Sequence, residues 1–338
     1  MFVLDFASLT PPTGLAIAAR IRVLYSSEVT SIDKEEDMAR IATENVEIFG
    51  TGVLRAEGVV VDREGSVWGG GRNAKVYKVT PDGAVHEVAE LPDRAIPNGV
   101  TLDRAGNFVY CDLRHKAVMR CSPDGHVSMI ADRAGDMPLS IPNFCSYDAE
   151  GNLYVSISST QPGNKVFEEF VTPAPNGAVV RIRPDGRGEV VAMGIYFANG
   201  TAIDPNEDAV YVLESSRNDC ARIQIKKDGT FGKPEVYSSG FPAIPDGMAF
   251  DVDRNLYITL PGVPKDGKLA PRNQIIRVDP TGKWEMLIED LDGTKLAFPT
   301  NCAFGGPDMQ DLFIANLEGD HFNRVRTSFR GHPLYHQR

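Results

Sequence analysis

Two carboxylates and four amides stand at one recurring place in this chain, and oxygen donors of that kind hold hard divalent cations and move protons. The phrase that carries them reads IPDGMAFD from Ile244. It returns as IPNGVTLD from Ile96, IPNFCSYD from Ile141 and FANGTAID from Phe197, with worn copies RAEGVVVD from Arg55 and FPTNCAFG from Phe298. The polar residue of each copy is Glu57, Asn98, Asn143, Asn199, Asp246 or Asn301, at intervals of 41, 45, 56, 47 and 55 residues. Brought to one place, Glu57 and Asp246 would repel each other, and an unpaired buried polar group costs ~1–3 kcal/mol. A divalent cation answers both problems, since it accepts amide oxygens and neutralises two acids. With no His or Cys at the six positions, the set favours Ca²⁺, then Mg²⁺ or Mn²⁺, over Zn²⁺. The plainer alternative is that Asn and Asp before Gly merely form turns. That covers Asn98-Gly99, but not Glu57, nor Asn143 and Asn301, which no Gly follows.

The elements that would position these residues are strands. Each repeat reads as polar residue, apolar strand, tight turn, second strand, third strand, turn and fourth strand. Inner turns recur as REGS, RAGN, AEGN and VDRN, outer ones as TPDG, SPDG, RPDG, KKDG and PTGK. Pro, Asp, Asn and Gly at those places supply preset or left-handed backbone angles. A four-stranded unit repeated six times predicts an all-β, six-bladed β-propeller with antiparallel blades, spanning residues 45–338. Blades start near 57, 98, 143, 199, 246 and 301. The strand VEIF from Val46 is expected to supply the outer strand of the sixth blade and fasten the ring. Residues 1–44 form a short extension, partly helical over Ser31–Thr43, packed on the outside or over one opening.

In a propeller the first strand of each blade lines the central channel, so the six polar residues should converge at one mouth. Loops joining second to third strands share that face. Two are enlarged, Ser158–Gly177 and Pro261–Asn273, as lids over a site would be.

A net charge of −11 with no basic run argues against nucleic acid as partner, and no apolar stretch could span a bilayer. Five cysteines without C-x-x-C spacing read as buried free thiols, and the N-terminus lacks a basic region and a small-residue cleavage site. A cytoplasmic setting is the expectation.

With Glu in the first blade, Asn in the third and fourth, and PDGM-x-x-D in the fifth, the chain resembles the SMP-30/gluconolactonase/luciferin-regenerating-enzyme-like family of six-bladed propellers over residues 45–338. The run ANL…H from Ala315 to His321 and the late GHPLY add to the likeness. The resemblance implies one catalytic divalent cation at the channel mouth and hydrolysis of a lactone or related ester. It makes Glu57, Asn199 and Asp246 metal ligands, and Asn143 a fourth ligand or a catalytic contact to substrate. Sugar-lactonase members carry an arginine where this chain has Ile141. With Phe144, Phe197, Tyr196 and Phe298 nearby, a substrate less polar than gluconolactone is expected, meeting Asn98, Asn301, Ile141, Phe144 and Phe197. Asp246 is the expected general base. A phosphotriesterase on the same metal site and a non-catalytic binding propeller are the alternatives. Strictosidine-synthase-like chemistry is disfavoured by retention of both acids. Arg72, Asp112, Arg114, Ser156, Ser158, Glu214 and Asn316 end second strands on the site face, and His321 is the one histidine expected near it. No G-x-S-x-G, H-E-x-x-H or P-loop is present.

Overall fold

The computed structural model describes residues 40–338 except 72, 162–165 and 267. Six four-stranded antiparallel sheets follow one another along the chain. The first blade is Val60–Val61, Val67–Gly70, Lys75–Val79 and Val85–Glu90. The second is Pro97–Leu102, Phe108–Asp112, Ala117–Cys121 and Val127–Ala131. The third is Pro142–Tyr147, Leu153–Ile157, Gly177–Ile182 and Gly188–Ile195. The fourth is Ala198–Ile203, Ala209–Glu214, Asp219–Gln224 and Glu235–Ser239. The fifth is Met248–Phe250, Leu256–Lys265, Lys268–Val278 and Trp284–Glu289. The sixth takes Pro299–Gly305, Asp311–Asn316 and Phe322–Arg326 from the end of the chain and Val46–Phe49 from its beginning. That last pairing, Val46 opposite Val325 through Phe49 opposite Phe322, closes the ring as the sequence suggested.

Burial explains why the sheets form a ring. The apolar residues divide into six clusters, each shared between two neighbouring blades and none confined to one. A single blade leaves both faces wet, and only stacking on two neighbours removes that surface from water. Five of the six repeated phrases end in an aspartate, and that aspartate fixes the inner turn. Asp103 Oδ1 accepts the Asn107 N–H at 3.0 Å and its Oδ2 accepts from Asn107 Nδ2 at 2.7 Å, and Asp148 and Asp251 repeat this with Asn152 and Asn255.

Most of the expected helix over Ser31–Thr43 lies outside the described residues. Residues 40–42 are not helical, and the one short helical turn there is Thr43–Asn45. The Ile41 N–H donates to the Leu287 carbonyl at 2.7 Å, which ties this stretch to the outside of the fifth blade. All five cysteines are free and buried. Among the described residues no helix is long and apolar enough to cross a membrane.

After the sixth blade the chain crosses the face opposite the repeated polar residues. The His332 N–H donates to Phe250 O, His336 Nε2 lies 2.8 Å from Val61 O, Tyr335 stacks on Tyr147, and Arg338 pairs with Glu207. This strap covers a channel cavity of about 60 Å³, room for a few waters.

Candidate metal and active site

The six polar residues converge on one channel mouth, but not all of them precede a strand. Asn98, Asn143, Asn199 and Asn301 lie inside the first strands, where the register against the second strand breaks: between Pro97 and Val100, Pro142 and Cys145, Ala198 and Thr201, Pro299 and Asn301. Such bulges turn a side chain out of the sheet's alternation. Glu57 and Asp246 stand ahead of their strands. Asp246 is held by its own N–H to Thr259 O at 3.0 Å, and the next N–H, of Gly247, donates to Thr259 Oγ1 at 3.0 Å.

The glycine after most of these residues is not there for a turn. Gly58, Gly99, Gly200 and Gly247 are absent from the left-handed region. A Cβ on Gly99 would lie 2.6 Å from Asn143 O, and one on Gly200 2.6 Å from Asp246 O. Each glycine therefore lets the next blade's polar residue approach the axis. The turn-former explanation fails on this geometry. Asn143 and Asn301, which no glycine follows, mark two seams, so the ring consists of Glu57–Asn98–Asn143 and Asn199–Asp246–Asn301.

Hydrogen bonds orient the amides. Asn98 Nδ2 donates to Asn143 O and Oδ1 at 3.1 and 3.2 Å, and Asn143 Nδ2 donates to Ser158 Oγ at 2.9 Å. Asn199 Nδ2 donates to Ser215 Oγ at 3.1 Å, and that hydroxyl donates to Pro245 O at 2.6 Å. Asn199 also hydrogen-bonds the Asp246 carboxyl. Asn301 Oδ1 accepts the Cys302 N–H at 2.7 Å, and its buried Nδ2 has no partner among the described residues. Thr300 Oγ1 donates to Glu57 O at 2.8 Å across the seam between the two halves.

The two acids face one another in a poorly solvated place. Burial raises the Asp246 carboxyl well above the usual range, the Glu57 charge raises it further, and the Asn199 hydrogen bond opposes them. Burial raises Glu57 as well, against the pull of Arg55. Among the described residues Glu57 Oε2 is buried with no hydrogen-bond partner, and Arg55 Nη2 stands 3.7 Å away. Among the described residues no group of three His, Cys, Asp or Glu gathers to hold a metal. The mouth instead gathers two carboxylates and four amides. An unsatisfied carboxylate oxygen, a second carboxylate and neighbouring amides are a donor set that fits a hard divalent cation.

Several of the residues expected to end second strands on the site face prove to be supports. Asp112 Oδ1 accepts the Ile96 N–H, Glu214 Oε1 the Tyr196 N–H and Asn316 Oδ1 the Ala297 N–H, at 3.1, 2.8 and 2.9 Å. The end of the second strand thus pins the chain entering the first, in alternate blades. Ser156 holds the Phe144 N–H. His321 Nε2 meets Lys295 O at 3.0 Å and takes no part in the ring. Arg72 lies outside the described residues. Ile141, Phe144 and Phe197 are half-buried around the mouth, and Phe170 of the 158–177 loop packs on Phe197 with ring centroids 4.5 Å apart. The 261–273 stretch is not a loop: its strands pair out to Lys265 opposite Lys268 and form an extended hairpin. Sequence reasoning missed Arg55 and Ser215; their places beside the repeat could have signalled them.

The structure is a closed six-bladed propeller with two acids and four amides gathered at one mouth. Residues 56–318 match the SMP-30/gluconolactonase/LRE-like region, and the chain belongs to that family. It is 25% identical to a gluconolactonase of Zymomonas mobilis over 346 residues, covering 94% of this chain and 92% of the relative. It is 23% identical to the strictosidine synthase-like 6 protein of Arabidopsis thaliana over 275 residues, covering 75% and 72%. The solved structure of a calcium-binding protein, regucalcin, from Agrobacterium tumefaciens superposes with a TM-score of 0.67 at 16% identity, covering 88% of this chain and 99% of that one.

Proposed function

We propose that this chain is a metal-dependent hydrolase that opens a lactone or related ester at the channel mouth. The observation that carries the proposal is the facing pair Glu57 and Asp246, enclosed by amides with Glu57 Oε2 unsatisfied. A binding scaffold has no need to set two acids against each other. The gluconolactonase relative supports the lactone class, and the calcium-binding neighbour supports Ca²⁺ as the cation.

Glu57, Asn199 and Asp246 would hold the cation, with Asn143 as a fourth donor or a substrate contact. When bound, the cation supplies Lewis acidity toward the acyl oxygen and lowers the pKa of water. The chain's own residues do the remainder. An Asp246 carboxylate oxygen accepts a proton from the attacking water, which adds to the acyl carbon. The ring C–O bond then breaks and the departing oxygen takes up that proton, leaving a hydroxy acid. Ser215 and Ser158 orient Asn199 and Asn143. Asn98, Asn301, Ile141, Phe144 and Phe197 contact the substrate, and the aromatic rim favours a body less polar than a sugar.

A panel of aliphatic, aryl and sugar lactones, assayed before and after chelation and again after Ca²⁺ is restored, tests this. Turnover of an apolar lactone that chelation abolishes and Ca²⁺ rescues is the expected result. Full activity after exhaustive chelation would remove the metal from the proposal.

A further inference from the structure

We infer that Arg55 is an anion-recognising residue of this mouth, so that the favoured ligand is a planar anion, such as a carboxylate, on an apolar body; the inference rests on the hydrolase reading only for the reaction that body undergoes. Arg55 lies two residues ahead of Glu57 and is, among the described residues, the one cation that acts on either acid of the ring. It is not simply Glu57's counter-ion. A guanidinium that serves a carboxylate closes to hydrogen-bond distance, commonly with two parallel bonds. Here the separation is 3.7 Å, and among the described residues the Arg55 side chain donates no hydrogen bond. With 19% of its side chain exposed it is largely enclosed, and among the described residues its nearest acid is Glu57, beyond hydrogen-bond distance.

The backbone places it deliberately. Arg55 has φ 53, in the left-handed region that bulky residues avoid, and its N–H is fixed to Gly319 O at 3.1 Å. Phe197 has φ 56 and stands two residues ahead of Asn199, so the two positions are built alike. They belong to the first and fourth of six blades, which face each other across the axis. One side of the mouth thus offers a cation and the other an aromatic ring, itself backed by Phe170. With both acids ionised and a divalent cation bound, Arg55 leaves the mouth with a net positive charge that an anion can meet.

Calorimetric titration of phenylacetate and its neutral isostere phenylacetamide into the Ca²⁺-loaded protein tests this. Wild type should bind phenylacetate more tightly, and Arg55→Gln should weaken that binding by about 10–100-fold while leaving phenylacetamide unchanged. Arg55→Asn, a residue at ease in the left-handed region, repeats the test with less risk to the fold. The Ca²⁺ affinity of both variants should be retained. Equal binding of phenylacetate to wild type and variants would overturn the inference, because the anion would then be held by the cation alone. If no lactone is turned over yet phenylacetate binding still depends on Arg55, the hydrolase reading fails and this one stands.

Discussion

Asp246 and Glu57 are close relatives chemically, but their surroundings differ. Asp246 is raised by burial and by Glu57, and is tied to Asn199; Glu57 keeps an unsatisfied oxygen and an arginine beside it. Asp246→Asn is expected to keep the fold while turnover falls by about 10²–10⁴-fold, the usual worth of a proton-transfer group. Glu57→Gln should lose cation affinity as well, which a calcium titration of each variant separates from turnover. Asp219 offers a pH test away from the ring. Burial first, then the Glu214 charge and a hydrogen bond shared with it, push its carboxyl up to about 7, with Arg217 opposing. Because this folded-state value lies above the unfolded one, its contribution to stability is present below the carboxylate range and disappears as pH rises through about 7. Urea unfolding should therefore show stability falling between pH 5 and pH 8 by on the order of 1–3 kcal/mol, and Asp219→Asn should flatten that slope.

The strands were legible because their chemistry is repetitive. Period-two alternation, the closing aspartate and Gly-rich turns appear in nearly every copy, and the returning VEIF strand had one free edge to fill. What was not legible was the bulge. Sequence shows Asn98-Gly99 as a turn or a strand start; only the neighbouring blade reveals that Gly99 is there to admit Asn143. The second lid was misread for a related reason, since PGVPKDGKLAPRN contains three prolines and reads as irregular, yet its ladder runs to Lys265 and Lys268. Gly200→Ala puts a methyl 2.6 Å from Asp246 O. It should cost about 1–3 kcal/mol by thermal or urea unfolding and depress turnover more than a surface change of equal cost. Ser215→Ala removes the group that orients Asn199 and should weaken cation binding about 10–100-fold with little effect on folding.

At the scale of the whole molecule, six inter-blade cores and one strand borrowed from the other end of the chain make a closed ring with two different faces. One face is covered by the strap that carries His332, Tyr335 and His336, while the other gathers the donors. Arg55 was hidden from sequence reasoning because its role depends on a position across the axis from Phe197, a relation that only closure creates. Residues from 57 to 301 meet because the ring closes, so the site is a property of the fold rather than of any segment. Native mass spectrometry of metal content tests that directly. After chelation and exposure to Ca²⁺, the wild-type protein should retain one ion per chain, and the Glu57→Gln, Asp246→Asn double variant should retain none while remaining folded. Equal metal content in both, or none in either, would contradict an ion held at the axis by donors from separate blades.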